Sequence, residues 1–258
     1  MKQAIILFTN QKGGVGKTTT CRELLFYLGQ NYRVLGIDTD PQGNLTKGLI
    51  ENPETGLYDA LTGPDYETAA VTDSIDLLAG DKRLTMLEDS LIGQIDAFTR
   101  LKDLLEQERF KEYDFIFIDS PPNLKIMTSN AMAVSNYFLL PMSPGLYTLQ
   151  GTNDLMEIIS KVRKSLNPDL SLLGVIINAY DSKPVITKQI TQEIMEAFGN
   201  KVFKTSLSRT IRLEEAIAEQ TGVIHLKNVG KSRVKEEVKA IGLEMLSRLP
   251  GVGHEARQ

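Results

Sequence analysis

The chain has 258 residues, of which 41% are hydrophobic and 24% charged, and its formal net charge is −4. This size and composition favour one compact α/β domain with a sizeable core, and Cys21, as the single cysteine, excludes an internal disulfide. No apolar run approaches the roughly 20 residues that span a membrane, and no signal peptide precedes the first strand, so we expect a cytoplasmic protein.

The first predicted elements are a buried strand over residues 4–8 and a helix that starts near Lys17, with helical periodicity over residues 21–28, joined by a glycine-rich loop. This is the context of a phosphate-binding loop, because glycines let backbone N–H groups approach phosphate oxygens and the helix start adds its positive dipole end. We expect Lys17 to contact the β- and γ-phosphates and the Thr18 hydroxyl to ligate Mg²⁺. The predicted nucleotide-binding residues of this loop are Gly13, Gly14, Val15, Gly16, Lys17, Thr18 and Thr19.

Two further apolar strands end in carboxylates. One covers residues 34–37 and ends at Asp38, and the other covers residues 115–119 and ends at Asp119. Open α/β sheets bind their ligands beyond the carboxyl ends of the strands. The strand that ends at Asp119 therefore has the character of a Walker B strand, which delivers an acid to the Mg²⁺ region.

Strands and helices alternate along the rest of the chain. The other predicted elements are a helix over 58–61, a strand over 75–78, two helices within 84–105, a strand over 137–141, a helix over 151–166, a strand over 172–178 and a helix over 232–248. We therefore predict a mostly parallel twisted sheet with helices on both faces, in a single domain of residues 1–258. We expect no N-terminal DNA-binding extension, and a tail over residues 250–258.

The loop departs from the plain phosphate-binding motif, because Gln11 stands where a glycine is usual and an additional lysine, Lys12, precedes the glycines. K-G-G-x-G-K-T is the deviant Walker A signature, and the chain resembles the ParA/MinD class of P-loop ATPases, most closely its ParA (Soj-like) partition branch. The resemblance implies that Lys12 crosses a dimer interface and contacts the partner subunit's nucleotide, as a catalytic residue beside Lys17. The alternative for Lys12 is an ordinary solvated lysine.

Two more segments carry the resemblance. Residues 38–44 match the D-x-D-P-Q-G-N switch I of ParA proteins, which implies that Asp40 orients the attacking water and that Asp38 helps to hold the Mg²⁺ shell together with Thr18 and Asp119. Residues 119–122 resemble the D-x-P-P switch II, whose prolines stiffen a segment that reports the γ-phosphate.

The last third of the chain resembles the family more weakly. The resemblance implies that Asn178, at the end of a strand, hydrogen-bonds the adenine, whereas the alternative is a strand-capping residue. Residues 208–216 resemble the base-contacting P-R-N-V-R-L-x-E-A segment, with Ser208 where proline is usual and Thr210 where asparagine is usual.

The charge of the chain is unevenly distributed. Residues 51–120 hold 17 acidic and 6 basic residues, most simply as a solvated face, whereas residues 121–258 hold 17 basic and 13 acidic residues. Basic residues gather within 201–212 and 227–239, where the resemblance implies a surface for DNA of any sequence. Lys201, Lys231 and Arg233 fall closest to the matching positions, and the alternative is a solvated basic face of an amphipathic helix.

The resemblance implies a Mg²⁺-dependent partition ATPase with weak activity alone. ATP would build a homodimer that binds nonspecific DNA on the nucleoid, and a centromere-binding ParB-like partner would stimulate hydrolysis. A MinD-like membrane role needs a C-terminal amphipathic helix, which Pro250, Gly251 and Gly253 exclude. An iron-protein role needs cysteine ligands that this chain lacks, and a tyrosine-kinase role needs a C-terminal tyrosine cluster, whereas the last tyrosine is Tyr180. A ParA-like ATPase that positions another cargo remains open.

Overall fold

A computed structural model describes residues 2–145, 150–180, 185–227 and 232–251. Eight strands form one sheet in the order β3-β4-β2-β5-β1-β6-β7-β8. All neighbouring pairs are parallel except β3 and β4, which are antiparallel. The strands are β1 Ala4–Phe8, β2 Val34–Asp38, β3 Ala69–Thr72, β4 Ile75–Leu78, β5 Phe115–Asp119, β6 Tyr137–Met142, β7 Ser171–Tyr180 and β8 Leu207–Ser208.

Helices cover both faces of this sheet. They are α1 Lys17–Leu28, α2 Asn44–Lys47, α3 Leu57–Thr62, α4 Arg83–Leu91, α5 Arg100–Leu105, α6 Ile126–Val134, α7 Gln150–Ser165, α8 Val185–Phe198, α9 Ile211–Ala218 and α10 Arg233–Arg248, with two short 3-10 turns at Glu108–Phe110 and Gly199–Lys201. Alternate side chains of β1 enter two hydrophobic cores, Ile5 and Leu7 on one face and Ile6 and Phe8 on the other. The predicted fold class is confirmed.

The fully buried strands are the ones that the sequence located best. Three strands, β1, β2 and β5, are buried along their whole length. A strand that is covered on both faces has a nearly continuous run of apolar residues in its sequence. The sequence did not predict β3, β8, α2, α6, α8 or α9. β3 alternates between half-buried and exposed residues at the edge of the sheet, so its apolar signal is weak.

The strand order places β1 between β5 and β6, with β2 beside β5. The segments that follow β1, β2 and β5 therefore leave the sheet at the same carboxyl edge. The predicted tail falls mostly outside the described residues, which end at Gly251. Among the helices that are described, none is long and apolar enough to cross a bilayer.

A buried ion pair fastens α1 to the segment around α9. The Arg22 guanidinium donates to the Glu23 carboxylate, to the Thr221 carbonyl at 3.0 Å and to the Leu213 carbonyl at 3.3 Å. The second oxygen of Glu23 accepts the Val223 N–H at 2.7 Å. Burial raises the pKa of Glu23 and lowers that of Arg22, while the attraction between the two charges opposes both shifts.

We expect Glu23→Ala to lower the free energy of unfolding by about 3–5 kcal/mol, because it leaves the Arg22 charge buried without its counter-charge. Urea denaturation measures the loss. The matched control is Glu236→Ala, which removes an exposed ion pair with Lys239 and should change stability by no more than about 1 kcal/mol. Equal losses in the two variants would show that the buried pair has no special role.

Candidate nucleotide-binding site

The loop between β1 and α1 has a backbone that only glycine adopts easily at two positions. Gly14 and Gly16 have φ angles of 72° and 86°, in the left-handed region. Gly16 also has no space for a side chain, since a Cβ atom there would lie 2.6 Å from the Asn178 amide nitrogen. Gly16 is the N-cap of α1 and caps it with no side-chain hydrogen bond, so the first N–H groups of the helix remain for an anion.

Lys17 is buried at the start of α1, where its ammonium lies 3.4 Å from the Lys12 carbonyl oxygen. Burial lowers the pKa of Lys17, and the charges of Asp119 and Asp40 partly offset that shift. Both acids are therefore close enough to Lys17 to affect its protonation. The Lys12 side chain is exposed, and its backbone N–H is held by Asn10 at 3.0 Å.

Asp38 and Asp119 stand side by side, since they are paired residues at the ends of the neighbouring strands β2 and β5. The Thr18 hydroxyl donates to one carboxylate oxygen of Asp119 at 2.6 Å, and the other oxygen is buried without a partner in the described part of the chain. Burial, reinforced by the Asp38 charge, raises the pKa of Asp119 well above its usual range. Burial also raises the pKa of Asp38 to about 6.

These groups fit a divalent cation whose remaining ligands come from phosphate and water. The described residues contain no cluster of three or more His, Cys, Asp and Glu that could hold a metal alone. Mg²⁺ normally keeps several waters and takes one or two carboxylates together with substrate phosphates. Thr18 and the unpartnered oxygen of Asp119 supply donors of that kind, and a cation beside two adjacent carboxylates would relieve their repulsion.

Asp38 has a different environment from Asp119. One of its oxygens accepts the backbone N–H and the hydroxyl of Thr46, at 2.9 and 2.8 Å, and the other accepts the Asp40 N–H at 3.1 Å. Asp38 therefore fixes the shape of switch I. Asp40 is only 8% exposed, and one of its carboxylate oxygens accepts the Gln42 N–H at 2.9 Å.

The loop and both switch segments line one cleft of about 740 Å³. Lys17, Thr18 and Asp40, which the sequence predicted, lie in its wall together with Thr85, Glu88 and Ile217, which it did not predict. Glu88, on α4, is buried and accepts the Met127 N–H at 3.0 Å. No motif marks these residues, because α4 and α9 reach the cleft only through the folding of the chain.

Asn178 lies at the end of β7 in the wall of an adjacent pocket of about 420 Å³. Its amide nitrogen donates to the Val15 carbonyl at 2.9 Å and to the Thr20 hydroxyl at 2.7 Å, with the Gly16 carbonyl at 3.2 Å. Its amide oxygen is buried, and nothing in the described ranges donates to it. These contacts fix the orientation of the amide in the wall of the pocket.

The residues expected to bind DNA are not all brought together. Lys201 donates to the Leu172 carbonyl at 3.0 Å, at the amino edge of the sheet, and its own carbonyl accepts from Arg248 at the end of α10. Arg233 lies at the start of α10, a helix of 16 residues, which corresponds to about 24 Å. Lys201 and Arg233 are therefore at opposite ends of α10, and Lys231 lies outside the described residues.

Comparisons with known proteins identify the family of the chain. A family model described as an AAA domain matches residues 3–172. The sporulation initiation inhibitor protein Soj of Bacillus subtilis is 39% identical over 222 residues, which are 82% of this chain and 87% of Soj. The chromosome-partitioning ATPase Soj of Thermus thermophilus is 38% identical over 213 residues, 82% of this chain and 83% of that protein.

Two solved structures are similar over nearly the whole chain. A plasmid partition protein from Borrelia burgdorferi has a TM-score of 0.76 and 25% identity, covering 96% of this chain and 100% of its own. Cobyrinic acid a,c-diamide synthase from Mycobacterium smegmatis, with bound ATP analog and magnesium, has a TM-score of 0.79 and 25% identity, covering 94% and 93%. Together with the phosphate-binding loop and the two acid-bearing strand ends, these relationships show that the chain belongs to the Soj/ParA family of P-loop ATPases.

Proposed function

We propose that this chain is an ATP-driven switch for the partition of a plasmid or a chromosome. Acting as one domain on the nucleoid in the cytoplasm, it binds ATP, dimerises, associates with DNA of any sequence and is released when a ParB-like partner stimulates hydrolysis. The observation that carries the proposal is the gathering of Lys17, Thr18, Asp40 and Asp119 around one cleft. The partition relatives support the cellular role.

The chain's own residues account for binding. The free N–H groups at the start of α1 and the Lys17 ammonium receive the β- and γ-phosphates. Thr18 and Asp119 are the proposed Mg²⁺ ligands, and Asp38, beside Asp119, helps to hold the Mg²⁺ shell through its charge while its oxygens hold the switch. Mg²⁺, when bound, supplies charge that offsets the negative charge of the reacting phosphates. Asn178, in the wall of the adjacent pocket, is the proposed hydrogen-bonding partner of the adenine.

The same residues account for slow hydrolysis. Asp40, at the wall of the cleft, orients the attacking water, and a carboxylate is a weak base near neutral pH. Catalysis of phosphoryl transfer is mostly positioning and electrostatic stabilisation. The exposed Lys12 side chain reaches the nucleotide of the second subunit, so that turnover requires the dimer.

The direct test of the switch is the size of the protein in solution. Light scattering with ADP should give a monomer and with ATP a dimer, because only the γ-phosphate supplies the charge that Lys12 of a second copy would bind. Adding a random DNA duplex should produce a larger complex when ATP is present and not when ADP is present. A monomer under all conditions would contradict the proposal.

We expect DNA binding to fall and to lose part of its salt dependence in Arg233→Ala. Each phosphate contact adds about 0.9 to the slope of log affinity against log salt concentration, so the loss of one contact per subunit should reduce the slope of a dimer by about 2. Fluorescence anisotropy with a random duplex and ATP measures both quantities. Lys111→Ala, in the acidic segment, is the control. Equal binding by parent and Arg233→Ala would remove Arg233 from the DNA surface.

A further inference from the structure

One buried carboxylate joins the start of α10 to β8. Glu237 is 7% exposed, and one of its oxygens accepts from the Arg233 Nε at 2.8 Å and from the Ser208 hydroxyl at 2.6 Å. Its other oxygen accepts the Ser208 backbone N–H at 2.8 Å. Glu237 therefore holds both the strand and the arginine.

β8 depends on this carboxylate for its position. It has two residues and lies at the edge of the sheet, where an outward N–H needs a partner from outside the ladder. Ser208 and the two residues after it line the same pocket as Asn178, and the preceding Leu207 is paired with Asn178. A shift of Ser208 would thus move the wall of this pocket of about 420 Å³, which we call the base pocket because it is the proposed site of the adenine.

The arginine end of the contact faces solvent. The Arg233 side chain is 77% exposed, and its ion pair with Glu237 engages Nε. The terminal nitrogens of a guanidinium form the fork that binds phosphate in a bidentate manner. Glu237 thereby orients the exposed guanidinium of Arg233, while its hydrogen bonds to Ser208 hold β8 in place.

We propose that Glu237 is a positioning residue that couples a DNA phosphate at Arg233 to the nucleotide in the base pocket. The inference rests on the proposed function. A bound nucleotide fixes Ser208 and its neighbours, Ser208 fixes Glu237, and Glu237 presents Arg233 in its binding orientation. Because coupling is reciprocal, bound DNA raises the affinity for nucleotide by the same factor.

The coupling depends on Ser208, which stands where the family usually has proline. The usual proline at this position has neither a backbone N–H nor a hydroxyl, so it could supply neither of the hydrogen bonds that Ser208 gives to Glu237. Proline is also tolerated in edge strands, where its missing N–H faces away from the ladder. Ser208→Pro should therefore remove both hydrogen bonds to Glu237 and still allow the edge strand to form.

The first arm of the test uses no DNA. The dissociation constant of a fluorescent non-hydrolysable ATP analogue is measured for the parent, Ser208→Pro, Glu237→Gln and the double variant. We expect each single change to weaken binding roughly fivefold and the double variant to be no weaker than either, because both remove the same link. Losses that multiply in the double variant would overturn the inference. Thermal unfolding checks the fold, and Ser208→Ala, which keeps the N–H, replaces Ser208→Pro if that variant is unfolded.

The second arm measures the ratio of analogue affinities with and without a saturating random duplex. This ratio should fall roughly fivefold in Ser208→Pro and in Arg233→Ala. It should stay unchanged in Lys111→Ala, which alters an exposed ion pair in the acidic segment, outside the proposed DNA surface. An unchanged ratio in Ser208→Pro would overturn the coupling. A parent protein that binds no duplex would contradict the proposed function instead, and the first arm would still decide whether Glu237 positions β8.

Discussion

Lys17→Ala is expected to abolish measurable ATP turnover, with kcat/KM reduced by at least about 100-fold, because the cleft loses the charge that faces the β- and γ-phosphates. The unliganded protein should unfold at nearly the parental temperature, since within the described residues the Lys17 ammonium donates a single long hydrogen bond, 3.4 Å, to the Lys12 carbonyl. The measurements are a phosphate-release assay and thermal unfolding with and without ATP.

Two comparisons sharpen this experiment. Lys111→Ala removes an exposed lysine from the acidic segment and should keep both the activity and the stabilisation by ATP. Lys17→Arg keeps the charge with a larger head group in a buried position, and should recover little activity because the guanidinium does not fit the same space. Parental turnover in Lys17→Ala would refute the assignment of the phosphate-binding loop.

Asp40→Ala should bind ATP and dimerise but hydrolyse it at least about 100-fold more slowly, because the water loses its orienting carboxylate while the phosphate contacts remain. Asp40→Asn is the sharper variant. It keeps an oxygen that can accept the Gln42 N–H and so preserves the shape of switch I while removing the charge. Single-turnover hydrolysis and light scattering with ATP measure the two properties separately. Hydrolysis at the parental rate in both variants would mean that switch I has been misassigned.

Lys12→Ala provides the opposite phenotype. Its side chain is exposed and lies at the loop, so the variant should bind ATP as a monomer but neither dimerise nor hydrolyse it. The backbone N–H of residue 12, which Asn10 holds, is unaffected by the substitution. A normal ATP-dependent dimer would reduce Lys12 to a surface lysine.

Elements that are specified by residues close together in the chain were predicted well. Elements that depend on contacts between distant residues were predicted less well. β4 and β5 coincide with their predicted limits, and the strand end at Asp119 lies where the acid was expected. α1 begins at Lys17, where the phosphate-binding loop predicted its start, although its apolar periodicity begins only at residue 21. β3 was missed because an edge strand that alternates half-buried and exposed residues carries a weak apolar signal, and α9 was missed because it is only eight residues long, although it is amphipathic.

By itself, the sequence determined the chemistry that is contiguous in the chain: a glycine-rich loop before Lys17 and Thr18, and carboxylates at the ends of two apolar strands. Backbone sterics and strand burial act over a few residues, so these features can be read from the order of the amino acids. Tertiary structure alone decided which side chains meet. It set Asn178 in the wall of the adjacent pocket, brought Glu88 to the cleft, set Lys201 and Arg233 at opposite ends of α10 and joined Ser208 to Glu237. Each of those outcomes depends on packing between residues that are far apart in the chain, and no local pattern specifies such contacts.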